Sequence, residues 1–356
     1  MDLMLIACPV RPMHAYGSYT VISNTNINIE PAIPTLLQVE LHLPSPMDPS
    51  EIREKIGRFR ILVTGRANAG KTTILQRVCK TRDNPEIYDS AGKKVDLAVL
   101  APSRERGLHD IENETVFRSN PGFVFHDSRG FEAGGESEFI KVKAFITDRS
   151  KETKITNQLH AIWYCIPMDE ASRSFTASED KFFSQCDTGS IPVIVLFTKF
   201  DALYGVAYSE LKKEGKSRKD AKELAPKHAE ETFRDGPQLK LINGVQWPPK
   251  GHVCLPNMDK DNADCGALIE RTAGTLDDEA LKQFFVSTQQ TNLEICMKYA
   301  IERTLPEHFD SAEKTTSEGH QKIIRTLADW FPHISVRNTS ARSPRRNTVQ
   351  GTLCAL

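Results

Sequence analysis

The sequence predicts an α/β protein with a three-layer, doubly wound and mostly parallel sheet that carries one antiparallel hairpin at its edge. Two observations lead to this fold class. Short apolar, β-branched runs alternate with segments of helical periodicity, and the first of these runs ends in a glycine-rich turn that opens a helix. Strands that alternate with helices through short crossovers form a parallel sheet with helices on both faces. The 356 residues suffice for one substantial core or two modest ones.

The elements follow one another along the middle of the chain. Strands are predicted at Phe59 to Thr64, Phe123 to His126, Leu159 to Ile166, Ile191 to Phe197 and, more weakly, His252 to Leu255. Helices are predicted at Thr72 to Cys79 and near 136–148, 176–186, 207–233 and 277–304. Two extended runs flank Ser119–Gly122, where proline and glycine favour a turn, and they predict the antiparallel edge hairpin.

Composition divides the chain into three parts. Residues 1–55 are rich in Pro and Asn and predict an N-terminal extension, either a leader without regular structure or an accessory strand near 36–43. Residues 56–305 carry the predicted α/β domain, with a solvated, Lys- and Glu-rich helical insertion at about 205–235. Residues 306–356 predict a C-terminal helix and a disordered basic tail.

Overall composition excludes several classes of protein. Apolar residues make up 39% and charged residues 26%, as in ordinary globular domains. A formal net charge of −1 gives no general attraction to nucleic acid, so no nucleic-acid partner is predicted. No run reaches the roughly 18 apolar residues of a membrane span, so no transmembrane segment is predicted. Eight scattered cysteines without a Cys-x-x-Cys pair indicate a reducing compartment, and we expect a cytoplasmic protein.

The turn after the first strand has the spacing of a phosphate-binding loop, Gly-x-x-x-x-Gly-Lys-Thr. The glycines at its two ends allow a tight turn with N–H groups pointing inward, and the following helix adds its positive end. Lys71 is expected to bridge β- and γ-phosphate oxygens as a catalytic group, and the Thr72 hydroxyl to hold Mg²⁺. The predicted phosphate-binding residues are Gly65, Arg66, Ala67, Asn68, Ala69, Gly70, Lys71, Thr72 and Thr73.

An Asp-x-x-Gly sequence follows the second predicted strand. Asp127 stands at the strand end, where it is expected to hold Mg²⁺ through a water molecule. The N–H of Gly130 is expected to reach the γ-phosphate. The tetrapeptide is uninformative alone, but its place after a buried strand and downstream of Lys71 makes it a candidate metal and γ-phosphate sensor.

Thr198-Lys199-Phe200-Asp201 follows another predicted strand and is a candidate base reader. The carboxylate of Asp201 can accept hydrogen bonds from guanine N1–H and the exocyclic amine. Adenine offers neither donor there and would leave the carboxylate unpaired. Lys199 is expected to lay its aliphatic stem against the base, with Thr198 beside it.

These three motifs, in this order, resemble those of the P-loop GTPases of the translation-factor-related superfamily, and the resemblance covers about residues 57–300. It is close to the septin-like and immunity-associated GTPases and to G-domain proteins of mushroom-forming fungi. The fungal proteins carry stretches similar to 109–112, 125–132 and 197–201. The resemblance implies a P-loop G domain that binds GTP and GDP with Mg²⁺ and cycles between the two states as a molecular switch and hydrolase.

Four features depart from the family pattern. Thr198 replaces the commoner asparagine, as in septin-like relatives. Phe131 follows Gly130 where Ras-like enzymes carry a water-orienting glutamine, so intrinsic hydrolysis should be slow. The threonine that completes the Mg²⁺ site is not evident; Ser103 and Thr115 are the alternatives, Thr115 being more simply a strand residue. Finally, 256–258 occupies the place of the last motif without a Ser-Ala-Lys signature.

A positive group for the transition state must come from elsewhere. Arg129 is the candidate catalytic arginine, with Arg104 and Arg106 as alternatives, although an ordinary surface or salt-bridging role is the favoured interpretation of each. We therefore expect slow hydrolysis, or hydrolysis stimulated by a homodimer across the nucleotide face or by an activating protein. The alternatives are a non-hydrolysing, GTP-dependent assembly or interaction module, and a different P-loop class such as a nucleotide kinase or ATPase.

Overall fold

A computed structural model of the chain describes residues 54–95, 110–128, 130, 136–170, 175–288 and 293–309, with the single positions 319, 321, 323, 324, 330 and 331. Side chains at 293 and 303–309 are not described. Several sequence predictions fall outside these residues. They concern residues 1–53, the basic tail, Ser103, Arg104, Arg106, Arg129 and Phe131.

Eight strands form a single sheet. They are β1 (Phe59–Gly65), β2 (Glu86–Tyr88), β3 (Lys94–Val95), β4 (Glu114–Phe117), β5 (Asn120–Asp127), β6 (Ala161–Pro167), β7 (Val193–Thr198) and β8 (Gly251–Leu255). The order across the sheet is β3-β2-β4-β5-β1-β6-β7-β8. The strands from β5 to β8 in that order are mutually parallel, and β4, β2 and β3 pair antiparallel at one edge. The predicted fold class is confirmed.

Helices fill the connections between the strands. They are α1 (Lys71–Val78), α2 (Glu136–Lys151), α3 (Ala177–Gln185), α4 (Tyr204–Lys213), α5 (Arg218–Asp235), α6 (Pro237–Asn243), α7 (Gly266–Thr275), α8 (Glu279–Ser287) and α9 (Leu293–Phe309). Among the residues described, no helix is both long enough and apolar enough to cross a bilayer.

The prediction of one long helix over 207–233 is wrong, because this segment forms two helices, α4 and α5. Gly215 adopts a left-handed φ of 88°, which ends α4. Ser217 then caps α5 by accepting a hydrogen bond from the N–H of Asp220 at 3.1 Å. The helix predicted over 277–304 is likewise two helices, α8 and α9, and α6 and α7 were not predicted.

The predicted antiparallel edge hairpin is confirmed as β4 and β5, but its turn is shorter than expected. β5 already begins at Asn120, which is fully buried, so that the turn is Arg118–Ser119 rather than Ser119–Gly122. Pro121 therefore lies near the start of a strand, a position where its missing N–H is tolerated. β2 and β3, with three and two residues, are too short to give a periodic signal.

Two apolar layers cover the sheet, and β6 shows how one strand serves both. Trp163 and Cys165 belong to the cluster that packs against α1, α7, α8 and α9. Tyr164 and Ile166 belong to the cluster that packs against α2 to α6. Because side chains alternate along a strand and both faces are covered, all of β6 is buried and apolar.

Candidate functional site

The three sequence motifs meet at one edge of the sheet, at the carboxyl ends of parallel strands. In the register of the sheet, Val63 near the end of β1 pairs with Asp127 at the end of β5. Thr198 ends β7 beside Leu255, the last residue of β8. In open α/β sheets, the crevice outside the carboxyl ends of the strands is where ligands bind.

The glycine loop after β1 is shaped by residues in left-handed conformations. Gly65 has φ 121°, and a β-carbon on it would lie 2.2 Å from the carbonyl oxygen of Cys165, so only glycine fits there. Asn68 and Gly70 have φ values of 57° and 74°. Asparagine and glycine are the residues that tolerate this region. α1 then begins at Lys71 with no side-chain cap and no acidic residue in its first turn, which suits an anion.

Lys71 folds back over this loop. Its Nζ donates a hydrogen bond to the carbonyl oxygen of Arg66 at 2.9 Å. The ammonium group therefore lies over the turn whose N–H groups would hold phosphate oxygens. Thr72 is the second residue of α1 and directly follows Lys71.

The segment after β5 is held against β1. The N–H of Ser128 donates to the carbonyl of Val63 at 3.0 Å, and its hydroxyl donates to Oγ1 of Thr64 at 2.8 Å in a buried contact. These two bonds fix Asp127 next to the glycine loop. A β-carbon on Gly130 would lie 2.1 Å from the backbone nitrogen of Ala67, so Gly130 touches the loop directly.

The candidate base reader forms a tight turn after β7. Lys199 adopts a left-handed φ of 52°, and its Nζ pairs with Asp169 Oδ2 at 2.6 Å. Asp201 lies in the 3₁₀ turn Phe200–Leu203, and its Oδ1 accepts a hydrogen bond from the N–H of Asn257 at 2.7 Å. Phe200 is fully buried and anchors the turn. Thr198 Oγ1 is buried and has no hydrogen-bond partner within the described part of the chain.

Sequence reasoning missed three contributors to this site. Asp169 pairs with Lys199, and the backbone N–H of Asn257 supports Asp201 although its loop lacks the family signature. The third is Glu179 on α3, which pairs with Arg66 of the glycine loop at 2.9 Å. Only Glu179 had a local signal, because Thr176 and Glu179 form a capping box at the start of α3.

One of the alternatives for the Mg²⁺ threonine lies in a strand. Thr115 belongs to β4, where it pairs with Phe125 of β5 and Ile87 of β2. This placement matches the reading of Thr115 as a strand residue, and Ser103 lies outside the described residues.

Two buried histidines lie close to Arg60 of β1, and both have lowered pKa values. Burial, with smaller contributions from Arg60 and Arg149, lowers the pKa of His126 to about 4. Burial also lowers the pKa of His160 to about 4. The ring of His126 lies 3.0 Å from the carbonyl of Ile111, and His160 Nδ1 accepts the N–H of Arg60 at 3.0 Å. His126 therefore ties β5 to the segment that leads into β4.

No protein-family profile and no curated protein matches this chain. Several solved structures are distantly similar to this chain. The S. thermophilus NFeoB protein bound to GDP has a TM-score of 0.33 and 13% identity over 76% of this chain and 90% of its own. A probable GTP-binding protein, engB, has a TM-score of 0.31 and 17% identity over 61% of this chain and 98% of its own. A GTP-binding protein from Sulfolobus solfataricus in complex with GDP has a TM-score of 0.29 and 12% identity, over 64% of this chain and 55% of its own. Likeness this distant adds nothing to what the geometry of the chain itself provides.

Proposed function

We propose that this chain binds GTP and GDP with Mg²⁺ and acts as a molecular switch whose hydrolysis of GTP is slow, or is stimulated by a partner or a second copy. The observation that carries this proposal is the arrangement of the three motifs at one sheet edge. The glycine loop and Asp127 lie at the ends of neighbouring strands, and Asp201 follows β7, with β6 between the two groups. Phosphates and base would thus lie at the two ends of one crevice.

At the phosphate end, the backbone N–H groups of the glycine loop and the start of α1 would surround the β-phosphate. Lys71, which now donates to the carbonyl of Arg66, would instead contact phosphate oxygens when a nucleotide is bound. Gly130 approaches Ala67 of the loop closely, and its N–H would be the group that senses a third phosphate.

The residues also fit a magnesium ion. The Thr72 hydroxyl and the Asp127 carboxylate are hard oxygen donors at the start of α1 and the end of β5, the ligand type that Mg²⁺ prefers. Asp127 would act through water, and Ser103 would supply a further oxygen. A bound Mg²⁺ neutralises charge that develops on the phosphates during transfer.

At the base end, Asp201 supplies the discrimination. One of its oxygens is already oriented by the N–H of Asn257, which turns the carboxylate in one direction. Guanine can donate two hydrogen bonds to such a group, whereas adenine leaves it unpaired. Lys199, oriented by Asp169, would lay its stem along the base, with Thr198 beside it.

The decisive experiment is competition for binding. Fluorescent GTP should be displaced by GTP and GDP but not by ATP at equal concentration. Removal of Mg²⁺ should lower the affinity for GTP more than the affinity for GDP. Lys71→Ala is the matched control and should abolish triphosphate binding without unfolding the protein. Equal displacement by ATP would eliminate the role assigned to Asp201 and would favour a nucleotide kinase or ATPase.

Hydrolysis is the second arm of the proposal. Phe131 cannot orient an attacking water, so Arg129 or a group from another molecule would have to complete the site. Single-turnover hydrolysis should be slow in dilute protein and faster at high concentration if a homodimer forms across the nucleotide face, as septin-like behaviour would imply. Absence of phosphate release at every concentration, with no activating protein, would favour a non-hydrolysing GTP-dependent assembly module. The six free cysteines among the described residues suit the reducing cytoplasm.

A further inference from the structure

The glycine loop carries a buried ion pair that none of the three motifs requires. Arg66, its second residue, is only 5% exposed, and its guanidinium is directed away from solvent toward α3. Nε and Nη2 donate to the two oxygens of Glu179, each at 2.9 Å, which is the bidentate geometry of the strongest arginine–carboxylate pairs. The pair joins residues 113 positions apart.

Glu179 is itself held firmly. It is fully buried, and its Oε2 also accepts the N–H of Thr176 at 2.7 Å and the hydroxyl of the same residue. Burial and then the charge of Glu179 raise the pKa of Tyr164 well above its usual value, so the phenol beside Glu179 stays neutral. The remaining nitrogen of Arg66, Nη1, is buried without a hydrogen-bond partner in the described part of the chain. Glu179 therefore balances the positive charge of the buried guanidinium and replaces its lost hydration.

The backbone of Arg66 contacts several of the residues that form the phosphate end of the site. Its carbonyl accepts the Lys71 ammonium, and its N–H donates to the carbonyl of Cys165 at 3.2 Å. The peptide that links it to Ala67 is also the surface that Gly130 touches, since a β-carbon there would lie 2.5 Å from the carbonyl carbon of Arg66. A shift of this one peptide would move the lysine contact and the Gly130 contact together.

We infer that Glu179 is a positioning residue of the phosphate loop, which acts through Arg66 and fixes the Arg66–Ala67 peptide. This inference rests on the proposed nucleotide binding at the same site. α3 thereby becomes part of the phosphate end of the crevice, although no residue of α3 belongs to a nucleotide motif. If Glu179 only capped the start of α3, its bonds with Thr176 would be sufficient. The bidentate contact with an arginine of the loop is not part of a helix cap.

The test compares phosphate recognition with base recognition. Glu179→Gln removes the charge and one of the two acceptor oxygens, and the ratio of GDP to GMP affinity reports the hold on the β-phosphate. Loss of a residue that orients a ligand-binding group typically lowers affinity about 10- to 100-fold, and we expect this ratio to fall by a similar factor. Selectivity for GDP over XDP, which depends on Asp201, should stay unchanged. Glu136→Gln is the matched control, because the exposed Glu136 of α2 also pairs with a residue of α3, Lys181, and its replacement should alter neither ratio.

A second variant guards against misfolding, since Glu179→Gln leaves a buried charge. Replacing both partners, with Arg66→Met and Glu179→Leu, substitutes apolar groups of similar size, an exchange that buried ion pairs usually tolerate. This protein also loses the bonds from Thr176 to Glu179, so it should remain folded with a modestly lower melting temperature and still show the lowered GDP to GMP ratio. A wild-type ratio in the double variant, or equal weakening of GDP and GMP in both variants, would overturn the inference.

Failure of the proposed function would look different. If the wild type binds ADP as well as GDP, the guanine assignment fails, yet the ADP to AMP ratio of the same variants still measures the hold on the β-phosphate. A lowered ADP to AMP ratio in both variants would then support the role of Glu179, and an unchanged ratio would overturn it.

Discussion

Asp201→Asn offers the sharpest test of the base reader, because the structure determines how the substituted side chain must point. One oxygen of Asp201 accepts the N–H of Asn257 at 2.7 Å. An amide can serve this donor only with its oxygen, so its NH₂ group must face the base. Guanine presents two donors there, and donors do not pair with donors.

The magnitude follows from the bonds lost. Each charge-assisted hydrogen bond contributes about 1.5–3 kcal/mol, so losing two should weaken GDP binding by about 3–6 kcal/mol, roughly 10²- to 10⁴-fold. Xanthine carries a carbonyl where guanine carries its amine and can accept a hydrogen bond from the new NH₂ group. XDP should therefore become the preferred ligand. Because the bond to Asn257 survives, the melting temperature should change little.

Competition of unlabelled GDP and XDP against fluorescent GDP or XDP measures this exchange. Asp264→Asn is the matched control, since Asp264 also accepts a single backbone N–H, from Gly266 at 2.9 Å. It should leave both affinities unchanged. Guanine selectivity that persists in a folded Asp201→Asn protein would refute the assignment and would place the base elsewhere.

Three further predictions concern Gly130, Arg77 and the two buried histidines. Gly130→Ala introduces a β-carbon 2.1 Å from the nitrogen of Ala67, so affinity for GTP should fall toward that for GDP while GDP binding persists, and equal retention of both affinities would contradict the sensor role. Arg77 donates from Nε and Nη2 to two carbonyls of the loop after β8, at 2.9 and 3.0 Å. Arg77→Lys, which keeps the charge but not the two-pronged geometry, should weaken GDP binding by about 3- to 10-fold in titrations, one lost hydrogen bond being worth about 1 kcal/mol. His126 and His160 have folded pKa values of about 4 against an ordinary 6.5, so the unfolded state binds more protons between these values and stability falls as pH drops from 6.5 to 4. The loss approaches roughly 3 kcal/mol for each histidine, and urea denaturation of His160→Asn against wild type should show a flatter pH profile.

The parts of the site that could be predicted from the sequence are those with a local signature. Gly65, Asp127 and Asp201 each follow a short apolar strand, and the structure places all three where strand ends in a parallel sheet must meet. The sheet class followed from the same alternation of strands and helices. What escaped prediction at the edge was β2 and β3, whose few residues show no alternation that could distinguish them from a loop.

The supporting contacts could not be predicted, because they join distant residues or involve backbone groups. The N–H of Asn257 exists whatever side chain stands there, so its bond to Asp201, 56 residues away, has no sequence signature. Asp169 reaches Lys199 only because β6 and β7 are neighbours in the sheet. Even Thr176 and Glu179, which predict a helix start, do not reveal an arginine 113 residues away.

These supporting contacts share an origin that bears on how the site works. The glycine loop and the base reader follow β1 and β7, which are two strand spacings apart, about 10 Å. β6 fills this interval and carries no nucleotide motif. Yet the carbonyl of Cys165 in β6 holds the glycine loop, Asp169 just beyond β6 holds Lys199, and Glu179 on the helix after β6 holds Arg66.

The two halves of the crevice are therefore not independent, because both are fixed to one buried strand and the helix that follows it. A displacement at the start of α3 would be felt first by the phosphate loop through Arg66, and by the base reader only through the rigid strand. This asymmetry is why Glu179 variants should lower phosphate recognition while leaving base selectivity intact.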